Sequence, residues 1–120
     1  MEKKDCIFCK IAMGEVENGK VIYENDNFFS VPDAFPVTSG HTLVISKKHF
    51  ETVLDLPSTI GPELLDCIKN TALKIIDREK AEGFHVTNNN FEAGKQIVKH
   101  VHFHIVPRKK NDKIDGKLMY

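Results

Sequence analysis

The segment 100–106 places three histidines at alternate positions and separates them with apolar residues that favour β-structure. Alternate side chains of a strand share a face, so this spacing predicts an apolar row facing a core and a row of imidazoles on the opposite surface. A neutral imidazole is both a nucleophile and a metal ligand near pH 7. The row therefore indicates nucleophilic or metal chemistry; the alternative is an edge strand with solvated histidines.

Covalent catalysis at phosphorus fits this row better than a catalytic metal does. The reaction needs a neutral imidazole that attacks, a neighbour that holds the substrate anion, and a proton donor for the leaving group. Histidines two residues apart on one strand face lie within about 7 Å of each other and can share these tasks. A catalytic metal lacks a nearby carboxylate to complete its usual ligands. The preceding loop adds Asn89 and Gln96, neutral donors that can hold phosphate oxygens.

Two cysteines, Cys6 and Cys9, have a spacing typical of metal or redox sites. No second pair of this kind follows, so the other ligands of a tetrahedral site must be distant histidines, for which His49 and one histidine of the row are the candidates. Four protein ligands leave no position for water, so we expect a structural zinc. An unmetallated cysteine pair is the alternative. Cys67 is interpreted as a small packing residue within a helix.

The composition is that of an ordinary globular domain. The chain has 120 residues, of which 41% are hydrophobic, and 17 basic residues balance 17 acidic ones. No net field favours a nucleic-acid backbone or an anionic membrane surface. No apolar window approaches the ~18 residues of a membrane span, and the odd count of three cysteines fits a reducing compartment. We therefore expect a soluble, unexported, cytoplasmic protein with a small-molecule ligand.

The hydrophobic periodicity predicts an α+β fold with an antiparallel sheet of about five strands, one long helix and one short helix. The short helix is predicted over 6–13 and the long one over 58–80, with Ser58 as N-cap and Pro62 in the first turn. The predicted strands are 20–24, 28–32, 41–45, 84–87 and 100–106. Residues 25–27 predict a hairpin turn, and Pro107 is expected to end the last strand. We expect a single domain with a core of about 5–108 and a loose, charged tail over 109–120.

Four motifs in the right order give the chain a resemblance to the histidine triad (HIT) family. Segment 96–108 is similar to the family signature of three histidines that alternate with apolar residues. Segment 6–11 looks like the family's N-terminal segment, Asp33 lies where the family has its ribose-binding acid, and 41–49 resembles its central strand and following turn. The resemblance implies the HIT fold, a homodimer, and hydrolysis or transfer at the α-phosphorus of a nucleotide through a nucleotidyl-histidine intermediate.

The resemblance also implies a role for each site residue. His102 is the nucleophile, with its other ring nitrogen donating to a backbone carbonyl, and His104 and His41 contact the α-phosphate and assist the leaving group. The remaining nucleotide contacts are Phe8, Ile11 and Leu43 around the base, Asp33 at the ribose, and Asn89 and Gln96 on the phosphate side. In the zinc-carrying branch the first histidine of the motif is a metal ligand. The implied zinc ligands are Cys6, Cys9, His49 and His100.

The implied substrate is a purine nucleotide, first an adenosine 5′-phosphoramidate or a related adenylate and second a dinucleoside polyphosphate. A nucleotide-binding interaction module with incidental hydrolysis is a third interpretation. Three residues depart from the family pattern. Ile97 stands where branches often carry Ser or Thr, so a hydroxyl donor is absent, and Phe91 and Lys95 stand where glycine is usual. Lys95 is interpreted as a solvated loop residue, and His85 as a structural or surface histidine.

Overall fold

The computed structural model describes residues 5–14 and 20–114. Within these residues the helices and strands are α1 (Ile7–Ala12), β1 (Tyr23–Glu24), β2 (Phe28–Pro32), β3 (Thr42–Ser46), α2 (Gly61–Glu79), β4 (Gly83–Thr87) and β5 (His102–Arg108). Short 3-10 segments occur at Val53–Asp55, Ser58–Ile60 and Glu92–Gly94. The predicted α+β class, with one long and one short helix, is confirmed. No helix among the described residues has the length and apolarity to cross a membrane.

The five strands form one antiparallel sheet in the order β1-β2-β3-β5-β4. β1 and β2 form the predicted hairpin, in which the Asn25 side chain accepts hydrogen bonds from the backbone N–H groups of Asn27 and Phe28. β5, which carries His102 and His104, lies between β3 and β4. The alternative of a solvated edge strand is therefore wrong.

The two faces of the sheet pack against different helices. The face beneath α2 is formed by Phe28, Val44, Val101, Phe103 and Ile105. The face beneath α1 is formed by Phe29, Val31, Leu43 and Ile45. Residues paired across antiparallel strands share a face, and the register pairs Leu43 with His104 and Ile45 with His102. The two histidines therefore lie on the α1 face, which confirms the predicted separation of the apolar row from the imidazoles.

The ends and the exposure of β5 differ from the prediction. β5 begins at His102 and runs through Pro107 to Arg108, so His100 precedes the strand and Pro107 does not end it. Proline lacks only its N–H group, and an extended backbone accommodates its restricted φ. The imidazoles are not on the surface either, since the exposed fractions of His100, His102 and His104 are 0%, 6% and 7%. The sequence pattern could not show that α1 covers this face.

The helix and tail boundaries also differ from the prediction in detail. Ser58 begins a 3-10 segment instead of capping α2, whose N-cap is Ile60, whereas the predicted Pro62 does lie in the first turn. β1 is shorter than predicted. The side chain of Asp112 binds Arg108 and accepts the backbone N–H of Lys109, so the first part of the predicted loose tail forms a turn. The rest of the tail, 115–120, lies outside the described residues.

Gly40 holds the loop before His41 against α2, and we expect Gly40→Ala to destabilise the protein. Its φ is +91°, and an added Cβ would lie 2.6 Å from Cγ of Glu79. Strain and steric overlap together should lower the free energy of unfolding by about 2 kcal/mol. Urea titration measures this, with Gly83→Ala as a control because a Cβ there meets no atom within 4 Å. Equal effects of the two substitutions would contradict this packing.

Candidate active site and metal centre

The backbone of the chain sets the tautomer of His102. Its Nδ1 lies 2.7 Å from the carbonyl oxygen of His100. A carbonyl oxygen can only accept, so Nδ1 carries the hydrogen and Nε2 holds the lone pair. The ring of Phe8 on α1 packs edge-on against His102 at a centroid distance of 4.9 Å. His102 is therefore an oriented imidazole whose lone pair is on Nε2.

A chain of hydrogen bonds sets the tautomer of His104. The backbone N–H of Val37 donates to Nδ1 of His41 at 3.0 Å, so a neutral His41 carries its hydrogen on Nε2. That nitrogen lies 2.9 Å from Nδ1 of His104 and 3.3 Å from a carboxylate oxygen of Asp33. Nδ1 of His104 therefore accepts, and its own hydrogen is on Nε2. His104 presents an N–H donor, and His41 acts through His104.

Burial keeps these imidazoles neutral. Desolvation lowers the pKa of His104 to about 3 and the pKa of His100 to about 4. Desolvation also lowers the pKa of His41 and of His102, and the Asp33 carboxylate partly opposes this shift in both. A neutral His102 keeps the lone pair that a nucleophile needs.

His102 and His104 line a cavity of about 330 Å³, a volume within the range of small-molecule sites. Five residues predicted to contact a nucleotide share this cavity. They are Phe8, Ile11, Asp33, His41 and Leu43. The fold thus brings together α1, the loop after β2, β3 and β5, which are far apart in sequence.

The other two predicted nucleotide contacts, Asn89 and Gln96, are outside the cavity lining. The buried Gln96 side chain accepts the backbone N–H of Phe91 at 2.8 Å and donates to the carbonyl of Glu51 at 2.6 Å. The side chain of Asn89 donates to the carbonyl of Lys95 at 3.5 Å. Both amides hold the loop before β5 in place.

The four predicted metal ligands converge beside this cavity. Nδ1 of His100 lies 3.3 Å from Sγ of Cys6 and 3.5 Å from Sγ of Cys9, and Nδ1 of His49 lies 3.2 Å from Sγ of Cys9. All four donor atoms are within 4.8 Å of one another. This group of two thiols and two imidazoles can hold a metal ion.

The hydrogen bonds of His100 support this interpretation. Its Nε2 lies 2.7 Å from the carbonyl oxygen of Ser46, so Nε2 carries the hydrogen and the Nδ1 lone pair faces the sulfur atoms. The sulfur-to-nitrogen distances of 3.2–3.5 Å approach the about 3.6 Å edge of a tetrahedron with normal zinc bond lengths. The donors fit a tetrahedral metal site.

A second group, Asp33, His41 and His104, also has metal-binding atom types. Its hydrogen bonds point to a different role. The Val37 N–H places the hydrogen of His41 on Nε2, the same atom that a metal would have to bind. The group is therefore suited to fixing hydrogens, and the cysteine-containing group is the better metal site.

Comparison with known proteins identifies the family. Residues 15–111 match the HIT domain. The chain belongs to the histidine triad family. An adenosine 5′-monophosphoramidase of Candida albicans is 35% identical over 108 residues, which are 87% of this chain and 70% of the relative. An adenylylsulfatase of Arabidopsis thaliana is 33% identical over 110 residues, 92% of this chain and 55% of the relative.

Solved structures of other proteins have the same fold. A Streptococcus mutans protein has a TM-score of 0.87 at 36% identity, and the match covers 93% of this chain and 71% of the Streptococcus mutans chain. A zinc-bound histidine triad protein from Mycobacterium smegmatis has a TM-score of 0.77 at 36% identity, over 93% of this chain and 81% of its own.

Several residues that line the cavity of this histidine triad protein were not predicted as site residues. They are Ile7, Ala34, Phe35, Lys95, Ile97 and Val98. Phe35 and Ile97 are 87% and 85% exposed, so they form its solvent-facing part. Lys95 and Phe91, which stand where glycine is usual, have φ values of +70° and +65°. Glycine adopts positive φ without strain. A lysine in place of the usual glycine at position 95 was therefore the sequence signal that could have identified Lys95 as a site residue.

The neutral histidines of this triad predict a loss of stability in acid. The pKa of His104 is about 3 when folded and about 6.5 when unfolded, so between these values the unfolded chain binds a proton that the folded protein does not. Stability due to His104 is complete above pH 6.5 and decreases as pH falls, approaching about 1.4 kcal/mol per pH unit. Denaturant titration from pH 7 to 5 should give a shallower dependence for His104→Gln than for the original protein; parallel curves would exclude this contribution.

Proposed function

We propose that this protein is a hydrolase that cleaves adenosine 5′-phosphoramidates or related adenylates through a nucleotidyl-His102 intermediate. The observation that carries the proposal is the fixed tautomer of His102, which gives Nε2 a lone pair in a ligand-sized cavity. Two histidine triad relatives are named as an adenosine 5′-monophosphoramidase and an adenylylsulfatase, and both names support adenylate substrates. Both kinds of substrate release AMP.

The reaction has two steps. Nε2 of His102 attacks the α-phosphorus, and the bond from phosphorus to the leaving group breaks with its electron pair on the leaving group. An amine leaving group takes up a proton, for which Nε2–H of His104 is the donor beside the phosphate. Water then attacks phosphorus and gives a proton to Nε2 of His104, which replaces the proton lost to the amine. The phosphorus–nitrogen bond breaks, and its electron pair returns to His102 as the nucleotide is released. His41 positions His104 in both steps.

The cavity has separate surfaces for the base and the ribose. Phe8, Ile11 and Leu43 form an apolar wall suited to a purine. One carboxylate oxygen of Asp33 accepts the backbone N–H of Phe35 at 2.8 Å, and the other lies 3.3 Å from Nε2 of His41. The carboxylate held in this way would accept the ribose hydroxyls with its remaining lone pairs. The nucleoside would then place its 5′-phosphate toward His102 and His104.

We further propose that Cys6, Cys9, His49 and His100 hold a structural zinc. The donor geometry supports this assignment, and one histidine triad structure is zinc-bound. A bound zinc would link α1 to the segment before β5 and stabilise both. The carbonyl of His100 would thereby be anchored where it binds Nδ1 of His102.

The protein is further proposed to act as a homodimer in the cytoplasm. β4 is an edge strand, and Phe84 and Val86 on it are 43% and 44% exposed, which supports pairing at this edge. The described cysteines form no disulfide, as in a reducing compartment. Sedimentation velocity tests the dimer: a single species with the mass of one chain at micromolar concentration excludes it.

A substrate panel tests the proposed function. Purified protein is incubated with adenosine 5′-phosphoramidate, an aminoacyl adenylate and dinucleoside tri- and tetraphosphates, and the substrates are ranked by kcat/KM. The proposal expects AMP release, with a higher kcat/KM for the phosphoramidate or the aminoacyl adenylate than for the dinucleoside polyphosphates. A higher value for the dinucleoside polyphosphates would favour the second substrate class. Tight nucleotide binding without AMP release would favour an interaction module.

A further inference from the structure

The cavity has an acidic and a basic side chain that come from different loops. Among its described lining residues, Asp33 is the carboxylic acid and Lys95 is the lysine. Asp33 lies within 3.3 Å of His41, while Lys95 is on the loop between β4 and β5. The protein as a whole has no net charge. An anionic group that enters this cavity is therefore attracted by Lys95 specifically.

The backbone holds Lys95 at this position in a conformation that is unusual for a lysine. Its φ is +70°, its N–H donates to the carbonyl of Glu92 at 2.9 Å, and its carbonyl accepts from the Asn89 side chain. The next residue, Gln96, is buried and hydrogen-bonded at both ends of its amide. Glycine would adopt this backbone without strain, and strained residues are concentrated at functional sites. The loop thus places the exposed side chain of Lys95 in the lining of the cavity that His102 and His104 share, at a conformational cost.

We propose that Lys95 determines leaving-group specificity by binding the negative charge of the group displaced from the α-phosphorus. This inference rests on the proposed function and refines its substrate class. The preferred substrates are mixed anhydrides of AMP, in which an acid is joined to phosphorus through oxygen. Amine leaving groups are the less favoured class.

The chemistry of the first step explains this preference. When Nε2 of His102 attacks a mixed anhydride, the phosphorus–oxygen bond breaks and the acid departs as an anion with the bonding electron pair. Such an anion needs no proton, and an ammonium group near its developing charge stabilises the transition state. An amine needs a proton instead, and Lys95 would repel its protonated form. Ile97, which also lines the cavity, has no hydroxyl to donate, so charge is the selecting feature on this side.

The test compares two substrates that share AMP, namely adenylyl sulfate and adenosine 5′-phosphoramidate. Lys95→Gln removes the charge and nearly keeps the length of the side chain, and Lys95→Arg restores the charge. We expect Lys95→Gln to lower kcat/KM for adenylyl sulfate about tenfold and for the phosphoramidate less than about twofold. Lys95→Arg should stay within about threefold for both. Lys69→Gln, an exposed lysine on α2 beneath the other face of the sheet, is the control that should change neither.

Two results would overturn the proposal. An equal decrease for both substrates in Lys95→Gln would mean that Lys95 binds the shared α-phosphate, and no decrease for either would mean that Lys95 is a solvated loop residue. If the original protein hydrolyses neither substrate, the proposed function itself fails. Calorimetric binding of the same two substrates then tests Lys95 separately, and an unchanged affinity ratio in Lys95→Gln excludes its role in specificity.

Discussion

His102→Ala is expected to lower kcat for adenosine 5′-phosphoramidate by at least about 10⁴-fold, because the variant lacks the imidazole proposed to accept the nucleotidyl group. The affinity for AMP should change by less than about threefold, since the base and ribose contacts proposed for Phe8, Leu43 and Asp33 remain. Single-turnover hydrolysis and calorimetric titration measure the two quantities. The large difference between them distinguishes a nucleophile from a residue that only binds the nucleotide.

A second variant and a control separate this chemical effect from a packing effect. The His102 ring contacts Phe8 and His104, so alanine also leaves a space in the site. His102→Gln fills most of that space without a nucleophilic nitrogen and should be equally inactive. His85→Ala removes an exposed histidine outside the cavity and should retain at least half of the activity.

Trapping the intermediate gives an independent measurement. The reaction is run with substrate that carries a label in its adenosine and is stopped during turnover without acid. The original protein should then carry the label, and His102→Gln should carry none. A phosphorus–nitrogen bond is stable in alkali and is lost in mild acid, which distinguishes it from an ester. Hydrolysis at the normal rate by either His102 variant would refute the covalent mechanism.

The fold and the centre of the site could be predicted because their sequence signals are local. Alternation over 100–106 predicted that Val101, Phe103 and Ile105 face a core, and the hydrophobic period over 58–80 predicted a long helix. Cys6 and Cys9 lie one helical turn apart, so their side chains are close in any short helix. Residue types made His49 and one histidine of the row candidates as partners of the cysteines, and only the family resemblance selected His100 from the row.

The remaining features depend on tertiary contacts that no local pattern shows. The partners of His41 are the backbone of Val37 and the ring of His104, so its role in positioning His104 becomes visible only in the fold. Gln96 has the residue type of a phosphate donor, but its amide binds Phe91 and Glu51 instead. A polar residue type predicts that a hydrogen bond forms, and the fold decides which partner takes it.

Cys9→Ala is expected to abolish metal binding and to destabilise the protein strongly. The original protein should contain about one zinc per chain after purification, and the variant less than about 0.1. Loss of one thiolate from a closed four-ligand site should lower the free energy of unfolding by at least about 3 kcal/mol. Mass spectrometry of the metal and thermal unfolding measure the two effects.

Cys67→Ala is the matched control because it removes a buried thiol that lies away from the metal ligands. Cys67 packs in α2 beneath the opposite face of the sheet, where burial raises the pKa of its thiol to about 11. Its removal leaves a small cavity, which should cost about 1 kcal/mol without loss of zinc. Cys9→Ala should therefore differ from Cys67→Ala in metal content as well as in the size of the destabilisation. Zinc well below one per chain in the original protein, or equal zinc in both variants, would contradict the four-ligand site.

The proposed metal site should also affect turnover, because His100, one of its four proposed ligands, supplies the carbonyl that binds Nδ1 of His102. Without zinc, the segment before β5 loses its link to Cys6 and Cys9 on the α1 side, and the hydrogen bond that selects the His102 tautomer weakens. We expect kcat of Cys9→Ala, measured at a temperature where it is folded, to fall about tenfold while the affinity for AMP changes little. A fall in affinity without a fall in kcat would place the effect of the metal on α1 and the base-binding wall instead of on the nucleophile.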